Sequence, residues 1–168
     1  MVKFEICENN GQWSRFTEFY MEHRQRIIPG YQVTHALTDV KNCIRNGSAA
    51  ILTDELDEVI GMGSFVLGLE KHGFNNKEIA VLGNCYFADK YRSNRTFIRG
   101  LQVLAAKIGE LSGDVKEVRI PTSADNHYTN GLYRKISDRI ETIDTLYGPF
   151  HVYSTPYDAF AGFCGRFR

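Results

Sequence analysis

Apolar positions along this chain switch repeatedly between an alternating pattern and a three-to-four residue spacing, which predicts strands and helices in turn. Val2 to Cys7 reads as a strand, and Gln12 to Ile27 places Trp13, Phe16, Phe19, Tyr20, His23 and Ile27 at helical spacing until Pro29-Gly30 stops the helix. Thr38 to Arg45 predicts a second, shorter helix ending at Asn46-Gly47. Ala49 to Thr53 and Val59 to Leu69 flank the acidic turn Asp54 to Glu58 and read as a hairpin, followed by a polar loop from Lys71 to Asn76. Glu78 to Phe87 is the next strand. The longest helix is predicted over Ser93 to Leu111, where Phe97, Leu101, Leu104, Ala105, Ile108 and Leu111 share a face and Ser112-Gly113-Asp114 closes the run. A strand over Val115 to Pro121, a helix over His127 to Ile136, and a hairpin of Arg139 to Tyr147 with Phe150 to Ser154, turning at Gly148-Pro149, complete the order. No repeat, low-complexity tract or long linker interrupts it, so 1–168 is expected to form one mixed α/β (α+β) domain.

Composition narrows the functional classes. The chain has 168 residues, enough for one sizeable core, and its 20 basic side chains balance 20 acidic ones. No net field would draw it to nucleic acid or an anionic membrane, so neither partner is expected. The apolar runs Ala49 to Leu52 and Ile60 to Leu69 are too short to span a bilayer, and Met1 to Glu5 has no signal-peptide core, so a cytoplasmic location is expected. Cys7, Cys43, Cys85 and Cys164 are scattered, with no C-x-x-C pair or His cluster, so reduced thiols and no metal are expected. The tail 155–168 carries Phe160, Phe163 and Phe167 and is too apolar for an idle end. It predicts docking, either on the domain's own sheet or on a second copy as a homodimer.

The candidate chemistry lies in two stretches. The first, Ser123 to Ile136, passes from a strand through Asn126 into a short helix that carries Tyr133 seven residues later. An amide, a helix start and a phenol therefore share one cleft. The second, Phe87-Ala88-Asp89-Lys90-Tyr91-Arg92-Ser93-Asn94-Arg95-Thr96-Phe97, leads from a strand into the longest helix. Together they resemble the two signature motifs of the GNAT N-acetyltransferases, V-x-P-E-x-R-G-x-G-x-G and N-x-x-A-x-x-L-Y-x-K-x-G-F. Arg92 matches the first motif, and Asn126, Leu132, Tyr133 and Lys135 match the second. Arg95 and Phe97 replace two glycines of the loop, and Thr129, Ser137 and Asp138 replace the small residue, the Gly and the Phe.

The resemblance implies a central, mostly antiparallel sheet, splayed in the middle and flanked by helices. It also implies transfer of acetyl from acetyl-CoA, used as a cosubstrate without metal, directly to a primary amine of an acceptor. The cosubstrate would be held by Phe87, Ala88, Arg92, Ser93, Asn94, Arg95, Thr96, Phe97, Asn126 and Tyr133. Backbone N–H groups and the helix N-terminus suit a pyrophosphate, and Arg92 and Arg95 would add cationic side chains in place of glycine's close approach. Asn126 would bond the pantetheine arm or a water, and Tyr133 would protonate the departing thiolate. Each also has a plainer reading, Asn126 as a helix cap and Tyr133 as a core ring. The central strand carries no acid in its body, and Asp125 and His127 read at least as well as solvent-facing helix-start residues, so a water relay is the default base. Cys85 reads as a small core side chain and no covalent intermediate is expected. The resemblance also implies two acceptor walls, with Glu22, His23, Arg24, Arg26, Tyr31 and His35 around one and Tyr147, His151 and Tyr153 on the other, where they would read a polar acceptor; many of them read better as ordinary surface and core-edge residues. The alternative class is a fold relative without catalysis that binds a protein or nucleic acid.

Overall fold

The computed structural model describes residues 2–165. Eight strands form one sheet: β1 (Lys3–Ile6), β2 (Gly47–Thr53), β3 (Val59–Leu67), β4 (Ile79–Leu82), β5 (Tyr86–Phe87), β6 (Glu117–Ser123), β7 (Asp138–Thr145) and β8 (Gly148–Pro156). Their order is β1-β2-β3-β4-β6-β8-β7, with β5 paired to β3; every pair is antiparallel except β4 with β6. The helices are α1 (Asn10–Glu22), α2 (Arg24–Ile27), α3 (Val33–Asn46), α4 (Asn94–Leu111), α5 (His127–Tyr133) and α6 (Tyr157–Gly165). This is the mixed, mostly antiparallel, helix-flanked architecture that the sequence predicts.

Because side chains on a strand alternate between faces, a strand covered on both sides must be apolar throughout. In β2, Ala50 and Leu52 pack with α4 and α6, while Ala49 and Ile51 pack with α1 and α3. One core thus gathers Phe97, Leu101, Leu104 and Ile108 of α4 and Phe160 of α6. The other gathers Phe16, Phe19 and Tyr20 of α1, Tyr31, and Ala36 and Val40 of α3. Within the described residues, the tail docks on its own chain: Tyr157 donates to the Ala105 carbonyl at 2.7 Å, and Phe160 and Cys164 are buried. Phe167 lies outside the described residues.

Several predicted boundaries move. The helix expected over Gln12 to Ile27 breaks at His23, whose φ of −101° and ψ of 8° leave the helical region while its ring packs on Phe19 and stacks on Tyr86. The second helix begins at Val33 rather than Thr38; no side chain caps it, and the Gln32 N–H donates instead to the Tyr147 hydroxyl at 3.1 Å. The loop after β3 contains a 3-10 turn over Glu70–His72. The final hairpin turns at Leu146-Tyr147, with Gly148 just past the turn at φ +99°, in the left-handed region that favours glycine. The strand expected over Glu78 to Phe87 is two strands, and their separation builds the site.

Candidate active site

β4 pairs with β3 through Phe65↔Leu82, and β5 resumes that pairing at Met62↔Tyr86. Two residues of β3 therefore face three of the other strand, Gly83, Asn84 and Cys85, which is a β-bulge. The extra residue reverses the alternation. The Asn84 amide points toward α1, donating to the Tyr20 hydroxyl at 2.8 Å, whereas Cys85 packs on the α4 side. The N–H groups of Asn84 and Cys85 are not used in the hydrogen bonds that pair β3 with β4 and β5. The same region is where the sheet opens. β4 and β6 pair only at Ile79↔Glu117, Ala80↔Val118 and Val81↔Arg119; beyond that β5 stays with β3 and Ile120 to Ser123 stay with β8. The result is a split beside Gly83 to Cys85.

On the α4 side of the split lies Tyr133, 5% exposed, its ring 6.0 Å from that of Phe97 and 6.2 Å from that of Tyr153. Burial, then the charge and hydrogen bonding of nearby Cys85, hold its hydroxyl's pKa well above the usual phenol range. Burial likewise pushes Cys85 up to about 12. Asn126 caps α5, its Oδ1 accepting from the Thr129 N–H at 3.1 Å. Asn130, unremarked in the sequence, is the better buried amide: it donates to the carbonyls of Ser123 at 2.9 Å and Asn126 at 2.7 Å and accepts from Tyr153 at 2.7 Å. Tyr128 donates to Asn94 Oδ1 at 2.6 Å, tying the start of α5 to that of α4.

At the start of α4, Ser93 is the cap; its Oγ accepts from the Thr96 N–H at 3.1 Å and its carbonyl accepts from the Phe97 N–H at 3.0 Å. The outward N–H groups of the first turn are those of Asn94 and Arg95. Phe97 is buried against Phe87 and Tyr133, so its side chain lies in the core rather than in the loop. Arg95 is exposed. Arg92 is turned back: its Nε donates to the Phe87 carbonyl at 2.9 Å, its Nη1 is 3.3 Å from Asp89, and its guanidinium lies over the Tyr86 ring. Phe87 is buried and Ala88 half-buried at the end of β5. Asp125 and His127 are exposed on either side of Asn126.

The opposite face holds a cavity of about 700 Å³ that reaches Gly83 and Asn84 at the bulge. Along its wall runs a hydrogen-bond chain the sequence did not disclose: Asn84 to Tyr20, Tyr20 to Tyr31 at 2.8 Å, and Tyr31 to Asp39. Among the residues expected on the acceptor walls, Tyr31 joins this chain and His35 bonds Tyr147, closing one end of the face. His151 bonds Thr142, Arg24 reaches the Met21 carbonyl, and Tyr153 belongs to the Asn130 network, so these serve the scaffold. Arg26 reaches Tyr86 and Asp89 near the loop. The described residues contain no group of His, Cys, Asp or Glu that could hold a metal, and no helix long and apolar enough to cross a membrane.

A mostly antiparallel sheet that splits beside a bulge, flanked by helices with the start of a long one at the split, is the fold of the GNAT acetyltransferases. Solved structures bear this out. A putative acetyltransferase from Acinetobacter baylyi superposes with a TM-score of 0.69 at 13% identity, covering 93% of this chain and 94% of that one. A GNAT-family acetyltransferase from Staphylococcus aureus gives 0.67 at 10% identity over 92% and 99%. The ribosomal-protein-S18-alanine N-acetyltransferase of Escherichia coli gives 0.66 at 13% over 94% of each chain. At sequence level, no family model and no curated protein matches.

Proposed function

We propose that this chain is an acetyl-CoA-dependent N-acetyltransferase that moves an acetyl group directly from the thioester to a primary amine. The observation that carries the reading is the split between β5 and β6: the Asn84 and Cys85 N–H groups, unused in the pairing with β3, lie beside it at the bulge, and Tyr133 and Cys85 flank it on the α4 side. Solved structures of the same fold include a ribosomal L7/L12 alpha-N-protein acetyltransferase in complex with coenzyme A.

The residues present fit acetyl-CoA. Asn94 and Arg95 offer N–H groups at the positive end of an 18-residue helix, and the exposed Arg95 guanidinium adds a charge for the pyrophosphate. Arg92 braces the loop through the Phe87 carbonyl and Asp89. The bulge N–H groups are placed to stabilise negative charge building on the thioester oxygen. Asn126 keeps its carboxamide on Thr129 and sets where α5 starts. Tyr133 supplies a proton to the departing thiolate. Its high pKa is no bar, because the surroundings that lift it also lift a thiol, as Cys85 shows.

Calorimetric titration with acetyl-CoA, followed by free-thiol release in the presence of an amine panel, tests the reading. Saturable binding with amine-dependent thiol release is the expected result. No heat at roughly 1 mM ligand, the upper end of the range in which enzymes half-saturate, would reject it.

A further inference from the structure

We infer that the cavity between α3, β3 and the β7–β8 hairpin is the acceptor site, that it takes a small primary amine with an apolar body, and that Asp39 receives the amine's proton through Tyr31 and Tyr20. This rests on the acetyltransferase reading above and names its acceptor class and its base.

Size, lining and charge agree. A volume of about 700 Å³ falls within the range of small-ligand sites. Val66, Phe74, Val81, Ile143, Phe150 and Val152 give it apolar walls. Its charged lining has three carboxylates, Asp39, Glu70 and Glu141, against Lys71 and Arg119, and the Arg119 guanidinium is already bound to Glu117 at 2.7 Å. The site therefore favours a cation with an apolar remainder over an anion or a polar chain. Its inner end touches Gly83 and Asn84, so an amine seated there approaches the bulge from the face opposite Tyr133.

The hydrogen bonds along that wall run one way. Asn84 donates to the Tyr20 oxygen and Tyr31 donates to Asp39, so the 2.8 Å bond between the two hydroxyls runs from Tyr20 to Tyr31. An ammonium donating to the Tyr20 oxygen can pass one proton on: an N–H bond breaks, the Tyr20 proton moves to Tyr31, the Tyr31 proton to Asp39, and the carboxylate becomes a carboxylic acid. The neutral nitrogen then attacks the thioester carbonyl. As the C–S bond breaks, Tyr133 gives its proton to the sulfur, the nitrogen's second proton restores Tyr133, and Asp39 releases the first to solvent. Burial raises the Asp39 pKa, which suits a proton acceptor working near neutrality. The groups facing it are Tyr31, which lowers that pKa, Glu70 from the β3–β4 connection, which raises it, and His35 on its own helix, which lowers it; Tyr20 of α1 and Cys43 stand nearby and respond to its charge.

The test uses the full chain, Asp39→Asn and Ile143→Lys, with 2-phenylethylamine, ethanolamine and a short peptide with a free alanyl N-terminus as probes. Calorimetry without any acetyl donor is expected to show 2-phenylethylamine bound at least about tenfold tighter than ethanolamine or the peptide, the discrimination an apolar pocket gives. Ile143→Lys, at a half-exposed edge position that will tolerate it, is expected to weaken amine binding by about tenfold or more while acetyl-CoA binding is unchanged. Asp39→Asn is expected to lose at least about tenfold in kcat/KM at neutral pH, to have the acid limb of its profile moved up to the amine's own pKa, and to approach the parent near pH 10, where the amine is neutral without help. Equal or tighter binding of ethanolamine or the peptide would overturn the acceptor class, and an Asp39→Asn profile matching the parent would overturn the relay. A protein that binds acetyl-CoA but not the amine sinks this inference alone. One that binds the amine but not acetyl-CoA sinks the acetyltransferase reading and keeps the cavity as an amine site.

Discussion

Tyr133 and Cys85 are held together in surroundings too dry for either to ionise readily. A buried phenol with a raised pKa would be a poor acid toward a thiolate in water, but it is a matched one toward a thiolate in the same place. Tyr133→Phe is accordingly expected to lower kcat by about a hundredfold with acetyl-CoA affinity within a few-fold of the parent, as steady-state kinetics and calorimetry will show. Retained turnover would return Tyr133 to the core. Asn126 and Tyr133 were legible from sequence because their relation is local, a strand opening through a cap into one short helix. Asp39, Tyr20 and Asn84 were not, because they come from two helices and a strand and meet only through tertiary packing. The one hint in the sequence was an Asn set in an otherwise apolar strand.

Helix α4 was readable almost to the residue. Its buried positions Phe97, Leu101, Leu104, Ala105 and Ile108 keep one spacing, and Ser93 caps it with a side-chain bond. The start of α3 was hidden for the opposite reason: Gln32 gives no side-chain cap, and a tyrosine 115 residues away takes the N–H instead. Where elements meet, Asn130 is the joint. One amide bonds the end of β6, the cap of α5 and, through Tyr153, strand β8. Asn130→Ala would strand a buried hydroxyl and lose both carbonyl contacts, at a cost of about 2–3 kcal/mol. Thermal unfolding should register this as a fall of roughly 5–10 °C. A loss under about 1 °C would mean that water replaces the amide without penalty.

At the scale of the molecule, two cores lie on opposite faces of a single sheet. Superposition on acetyltransferases at 10–13% identity shows how few side chains that arrangement dictates. What it does dictate is parity. Downstream of the bulge, Tyr86 belongs to the core under α1 and Phe87 to the core under α4. Removing one of the three residues Gly83, Asn84 and Cys85 would turn both rings to the wrong face, emptying a place in each core at once. Chain length at this point is therefore more tightly constrained than residue identity. Deletion of Asn84 is expected to yield insoluble or molten protein by circular dichroism and solubility, whereas Asn84→Ala is expected to stay folded. The stretch from Gly83 to Cys85 thus counts residues as well as chemistry, and a gap placed there in an alignment would mark a different protein.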